Sequence, residues 1–301
     1  MKKIIKNIDR GILFMLLASF SFAFMGGFAK VVSQTLPPVE VTFFRNIFGV
    51  VLVGLSIWKV PLKQTGGKPL LLLFRGSMGF AALLAYFYIM AHIPLGEAVT
   101  YNKTSPIFVA IFAYLFLNEK LHKSALLAIV IGFVGIVLVA QPEGGSFDKY
   151  DILGIFSGIG AALAYTSIRE LRKYYDTRAI VMSFMGVGTV APLLLMLATP
   201  YVEVSEEFDW MFAVFVMPQG LEWVYVIAVG LFATMSQLLM TKAYELTKAG
   251  IVGTISYSNI VFAVIIGVIL GDSIPDIWTT LGIILVIISG LIVALPKGKK
   301  V

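Results

Sequence analysis

G-E-A-V-T-Y-N-K-T-S-P-I-F-V-A-I-F-A-Y-L-F-L-N-E-K-L runs from residue 96 to residue 121. It is long and apolar enough to cross a membrane as a helix, yet its first half carries Tyr101, Asn102, Lys103, Thr104, Ser105 and Pro106. Polar and charged side chains are costly in hydrocarbon, so such a cluster faces a wet cavity or a protein neighbour. The stretch also has a second copy. A shift of 153 residues lays Ile93–Leu121 without a gap on Leu246–Ile274. Thr104 then falls on Tyr257, Ser105 on Ser258, Pro106 on Asn259, Leu117 on Leu270 and Glu119 on Asp272. The register holds from Gly79 over Phe232 to Val139 over Ile292. The chain therefore reads as a duplicated unit, and duplication inside a membrane chain is a mark of transporters.

Composition sets the class. Hydrophobic residues make up 59% of the chain and charged residues 13%, with a mean hydropathy of +0.93. No soluble globular class has that balance. The reading is an all-α integral membrane protein. There is no cysteine, so disulfides and thiol chemistry are excluded. The opening MKKIIKNIDR, followed by an apolar run, has the outline of a signal peptide. Residues 11–33 are too long for its apolar region and lack a clean small-x-small exit, so they read as a retained first helix.

Ten spans of roughly 20 apolar residues are expected at 11–33, 39–57, 69–91, 97–117, 123–140, 151–171, 178–198, 221–241, 249–270 and 277–295. Residues 199–220 form the one long connection, with room for a short interfacial turn. With the N-terminus inside, the inner segments hold 18 of the 23 Lys and Arg residues and the outer loops hold only Lys149. The positive-inside rule then puts both termini in the cytoplasm of an inner-membrane protein. Five spans per half make the two halves enter from opposite sides. The units 1–145 and 146–301 are thus expected to be inverted five-helix repeats, with a substrate site near the midplane between them. The net charge of +6 sits in short loops and at the ends, which is no nucleic-acid footprint. The expected partners are the lipid bilayer and a small-molecule substrate; oligomeric state is not legible.

Two motifs carry a family resemblance. P-P-V-E-V-T-F-F-R-N at 37–46 resembles a span-2 entry with its arginine. A-Y-F-Y-I-M-A-H-I-P-L-G-E-A-V-T-Y-N-K-T-S-P-I-F-V-A-I-F-A-Y-L-F-L-N-E-K-L at 85–121 resembles a span 3–4 pattern with a proline inside span 4 and an acidic residue after it. Together they look like the EamA family of the drug/metabolite transporter superfamily, over nearly the whole chain. The resemblance implies a secondary carrier of small metabolites and no catalysis. The span 3–4 stretch looks most like the branch that carries S-adenosylmethionine or riboflavin, from which Lys103 departs.

Four basic residues remain inside spans: Lys30, Arg45, Arg75 and Lys103. Lys30 and Arg75 lie close enough to span ends for their stems to snorkel to water. Arg45 is deeper and has Glu40 near it in sequence, so it reads either as half of an ion pair or as a cavity cation. Lys103 lies about two turns into span 4, and a lysine buried there needs a hydrated cavity or an anionic part of the substrate. Tyr101, Asn102, Tyr257 and Asn259 come from matched polar segments of the two repeats, and Tyr165 and Gln237 extend the candidate substrate site. Pro106 removes the hydrogen bond to the Asn102 carbonyl and supplies a bend for gating. Tyr86 and Tyr88 are cavity wall or ordinary core. Gly154, Gly158 and Gly160 permit close helix approach in span 6.

A secondary transporter of an anionic or zwitterionic solute, S-adenosylmethionine-like, amino-acid-like or vitamin-like, fits these features. Without a mid-membrane Asp or Glu, exchange or facilitated movement fits better than proton coupling through a carboxylate. The alternative is a membrane enzyme acting on a lipid-like substrate. That would need a nucleophile with its base, a metal cluster or paired acids, and the sequence offers none: no catalytic residue, metal site or cofactor is expected. A receptor or scaffold is a third class, against which the duplication argues.

Overall fold

The computed structural model describes residues 2–117, 123–141, 147–246 and 255–294. Every regular element among them is helical: α1 (Lys2–Val32), α2 (Pro38–Lys59), α3 (Pro69–His92), α4 (Leu95–Asn102), α5 (Ser105–Leu117), α6 (Lys123–Ala140), α7 (Lys149–Leu171), α8 (Thr177–Ala198), α9 (Leu221–Leu246), α10 (Ser258–Ile269) and α11 (Ile277–Ala294). Six contain stretches long and apolar enough to cross a membrane: Arg10–Val32, Pro38–Lys59, Pro69–His92, Lys149–Ile168, Thr177–Tyr201 and Leu221–Met240. Leu126–Ala140, Ser258–Ile269 and Ile277–Ile292 are shorter apolar helices.

Local chemistry sets the helix starts. Pro38 and Pro69 stand in the first turns of α2 and α3, where a missing N–H costs nothing and the fixed φ suits a helix. Asp148 and Asp151 form a reciprocal capping box on α7, which satisfies two donors that would otherwise lack partners.

The helices pair across the two halves. Helix α1 packs on α9 and α3 on α7; α2 packs on α8, α6 on α11, α5 on α7 and α10 on α1. Exchanging first-half helices for their second-half counterparts turns each of these pairs into another pair of the same set. The directions follow from individual contacts. Lys30, at the end of α1, reaches the Ile93 carbonyl just after α3, so α1 and α3 point the same way. Tyr88 and His92 of α3 stack on Tyr150 of α7, while Ala82 faces Gly160, so α3 and α7 are antiparallel. Helix α7 therefore runs against α1, its counterpart, and the two halves are inverted. Antiparallel α2 and α8 agree: Asn46 meets Gly188 and Gly54 meets Met182.

The long connection is tied down at one end of the bundle. Thr199–Tyr201 form a 3-10 turn, and residues 206–211 turn again. Asp209 accepts from the Tyr88 hydroxyl at 3.1 Å and pairs with Lys149. The Glu40 carboxylate, fully buried, accepts from the Val216 amide at 2.9 Å. Glu40 thus serves the connection, and the ion pair with Arg45 that the sequence allowed does not form. At the other end, Arg178 donates to the Val60 carbonyl at 2.7 Å and joins the end of α2 to the start of α8. The same guanidinium beside Asp176 holds that carboxyl down at about 2.

Candidate functional site

The expected span 97–117 is two helices. Helix α4 ends at Asn102, residues 103 and 104 turn, and α5 begins at Ser105. The turn is bonded shut: the Lys103 amide donates to the Val99 carbonyl at 2.9 Å, the Thr104 amide to the Tyr101 carbonyl at 3.1 Å, and the Thr104 hydroxyl to that same carbonyl at 2.6 Å. Pro106 stands in the first turn of α5. The kink expected from the proline is therefore a full interruption, because the proline opens a new helix where its missing N–H breaks no ladder. The second repeat is interrupted at the matching place. Residues 255 and 256 are helical, Tyr257 turns, and α10 begins at Ser258. Thr104, the second turn residue of the first break, and Tyr257, the turn residue of the second, are aligned by the 153-residue shift. Thr254, the counterpart of Tyr101, lies outside the described residues, as does Glu119.

Lys103 sits on the first break with no ion pair or side-chain hydrogen bond to a described residue. The other expected ligands are engaged. The Tyr101 hydroxyl donates to Asp151 at 2.5 Å, and Asn259 donates to the Ser19 carbonyl of α1 at 2.8 Å. The Tyr257 ring is buried against Gly290 of α11. Gln237 is half-buried on α9 and Asn102 half-buried at the end of α4. Tyr86 and Tyr88 are buried core.

The α7 glycines do what their spacing implied, and at the break itself. A Cβ on Gly154 would enter the Tyr101 ring, and one on Gly158 would meet the Thr104 hydroxyl and come within 3.0 Å of the Tyr101 carbonyl. Helix α7 thus cradles the break of the first repeat.

Lys30 does not snorkel. Its ammonium lies 2.5 Å from Asp272 and donates to the Ile93 carbonyl at 2.8 Å. The other Asp272 oxygen accepts from the Leu95 amide at 2.8 Å. One carboxylate therefore ties the end of α1 to the entrance of α4 and to the segment after α10. Beside it lies a small cleft lined by Glu97, Val264 and Pro275, with room for little more than a water molecule.

Arg75 does not snorkel either. Its Nη1 lies over Gly79, one turn deeper along α3. Arg45 and Arg75 both rest on the ring of Phe184 of α8, with guanidinium carbons 5.4 and 4.9 Å from the ring centre. Tyr165, 52% exposed, is the ionisable neighbour of both. Of the expected site, Arg45 and Tyr165 gather near Phe184 between α2, α3, α7 and α8, while Tyr101, Asn102 and Lys103 stand at the first break and Tyr257 and Asn259 at the second.

The family model for EamA-like transporters matches this chain twice, over residues 9–141 and 148–295. The chain belongs to the EamA-like transporter family. Its relatives include an uncharacterized transporter of Helicobacter pylori, 34% identical and aligned over 96% of each chain. The pseudopaline exporter CntI of Pseudomonas aeruginosa is 32% identical, over 97% of this chain and 98% of that one. A solved structure described only as the crystal structure of a protein shares the fold, with a TM-score of 0.58 at 19% identity over 96% of this chain and 98% of that one.

The family and these named relatives are transporters rather than enzymes, and the EamA-like chain described here is a membrane transporter of small metabolites. Among its described residues no group of three His, Cys, Asp or Glu is placed to hold a metal ion. Sequence reasoning missed Asp151, Asp272 and Phe184 as partners of Tyr101, Lys30 and the arginines. Asp272 was visible as the counterpart of Glu119, but its tie to Lys30 spans 242 residues of chain. Pro106→Ala is expected to leave the fold intact, because the break keeps its three hydrogen bonds, and to slow transport, because an N–H at position 106 can bond the Asn102 carbonyl and stiffen the break. Vesicle flux at matched protein level measures it, and unchanged flux would mean that the proline is merely tolerated.

Proposed function

We propose that this EamA-like chain is a secondary transporter working by alternating access on a small organic solute with an anionic part. The observation that carries this reading is the pair of helix breaks at matched positions of inverted repeats. Interrupted helices expose backbone carbonyls and amides at depth, and this is tolerated only where they are buried in protein or line a cavity. Lys103, on one break and without a partner among the described residues, offers its charge to the solute. Asn102, Tyr257 and Gln237 supply polar contacts around it. Tyr101 and Asn259 are engaged by Asp151 and Ser19 in this conformation. They would reach the solute by exchanging those bonds, a switch of the kind that access from two sides requires. Exchange or facilitated movement is the coupling mode proposed.

The chain is proposed to make ten crossings in an inner membrane with both termini in the cytoplasm, as the Lys and Arg distribution favours. The two repeats are proposed to divide near residue 145. Reporter fusions at the C-terminus and within 199–220 should report opposite sides; the same side for both would overturn that topology. Transport itself is tested with purified protein in sealed vesicles. Metabolites that raise its melting temperature should then cross the membrane only where the protein is present. Binding without flux would favour a receptor.

A further inference from the structure

Arg45 and Arg75 are 5% and 7% exposed, and both stand within membrane-crossing helices. A guanidinium stays protonated at any accessible pH, so the pair places two positive charges inside the bundle. Their hydrogen bonds to described residues are few. Arg45 Nη1 donates to Asn46 Oδ1 at 2.9 Å, and the Nε of each arginine has no hydrogen-bond partner. Among the described residues no carboxylate pairs with either. The ring of Phe184 is shared by both, so the charged carbons are no farther apart than the sum of their two distances to it. One aromatic face offsets only a small part of the cost of burying two like charges. The arrangement is short of negative charge.

We propose that Arg45 and Arg75 together bind an oxyanion group of the transported solute, a carboxylate or a phosphate. This rests on the transporter reading and adds to it a subsite distinct from Lys103. Guanidinium forks match both anions with paired hydrogen bonds, and each arginine keeps a buried Nε donor without a protein partner. The placement suits carriage. Arg45 and Arg75 come from α2 and α3 of the first repeat, Phe184 and Tyr165 from α8 and α7 of the second. An anion held there joins the two halves that must move against each other. Tyr165 of α7, half exposed, stands beside the pair.

The test uses the full chain purified in neutral detergent, with sodium citrate and sodium phosphate as probes against sodium chloride at equal ionic strength. Citrate, phosphate or both should raise the melting temperature of the parent protein by several degrees. Arg45→Gln and Arg75→Gln should each weaken that response at least tenfold in probe concentration, while melting at or above the parent temperature in chloride. Arg75→Glu supplies the missing charge internally. It should melt higher than the parent and lose the response altogether. The proposal is overturned if neither probe shifts the parent, or if parent and variants respond alike. It is equally overturned if Arg75→Glu melts lower than the parent, since the arginines would then be a packing clamp. A response to added phosphatidylglycerol alone would assign the pair to a lipid headgroup and likewise overturn it. Flux in sealed vesicles separates the two readings. Solute flux unaffected by Arg75→Glu removes the subsite and keeps the carrier. An arginine-dependent anion response without flux keeps the subsite and removes the carrier.

Discussion

Lys103→Met is expected to keep the protein folded and to remove most of its transport. Methionine preserves the length and most of the volume of the lysine stem while deleting the charge. Among the described residues Lys103 has no partner to leave stranded, so the usual penalty for breaking a buried pair does not arise. Relief of an uncompensated cation makes the variant neutral or more stable. The solute pays instead. A hydrogen bond to a charged group contributes about 1.5–3 kcal/mol, and each 1.4 kcal/mol is about tenfold in affinity. Half-saturation should therefore rise by roughly ten- to a hundredfold while the melting temperature holds or climbs. A structural lysine would give the opposite pattern, with altered melting and unaltered flux. Transport at the parental level would dismiss Lys103 as a ligand and leave anion recognition to Arg45 and Arg75.

The architecture was legible because its signals are additive and local. Twenty-residue apolar runs and the gap-free alignment of Ile93–Leu121 on Leu246–Ile274 each survive without knowledge of contacts. The inversion followed from counting, and the contacts of α1, α3 and α7 reproduce it. The interruption at residues 103 and 104 was only half legible. Proline predicts a bend, but a proline one residue inside a new helix looks the same in sequence as one in the middle of an old one. The second break at Tyr257 has no proline at all. It is marked only by its register with Thr104.

Pairings were the illegible part. Lys30 and Arg75 sit near helix ends, where a long stem usually turns toward water. Both turn the other way. Asp272 draws Lys30 across to the end of the second repeat, and the bare Cα of Gly79 leaves room for Arg75 to lie inward along its own helix. Neither choice is encoded within a few residues of the side chain that makes it. Arg45 shows the same limit: Glu40, five positions away on one helix, looked the natural partner, yet it is used by Val216 from the long connection.

A side chain at Gly158 is expected to cost more than any change to a polar ligand. The Cβ of Gly158→Ala would press on the Thr104 hydroxyl and lie 3.0 Å from the Tyr101 carbonyl, so two of the three bonds that close the break are disturbed at once. Overpacking of a tight contact costs about 1–3 kcal/mol. Here the strain falls on the element proposed to move, so transport should fall further than stability does. Thr104→Ala removes the first obstacle together with one of the bonds, and by itself should weaken transport moderately. Combined with Gly158→Ala it should recover part of the lost melting temperature, because the alanine methyl at 158 then fills the space the hydroxyl left. Residues in contact are not additive, and the sign of their coupling reports the contact. A double variant no better than Gly158→Ala alone would show that the hydroxyl was not the obstacle, and that α7 does not seat the break through Thr104.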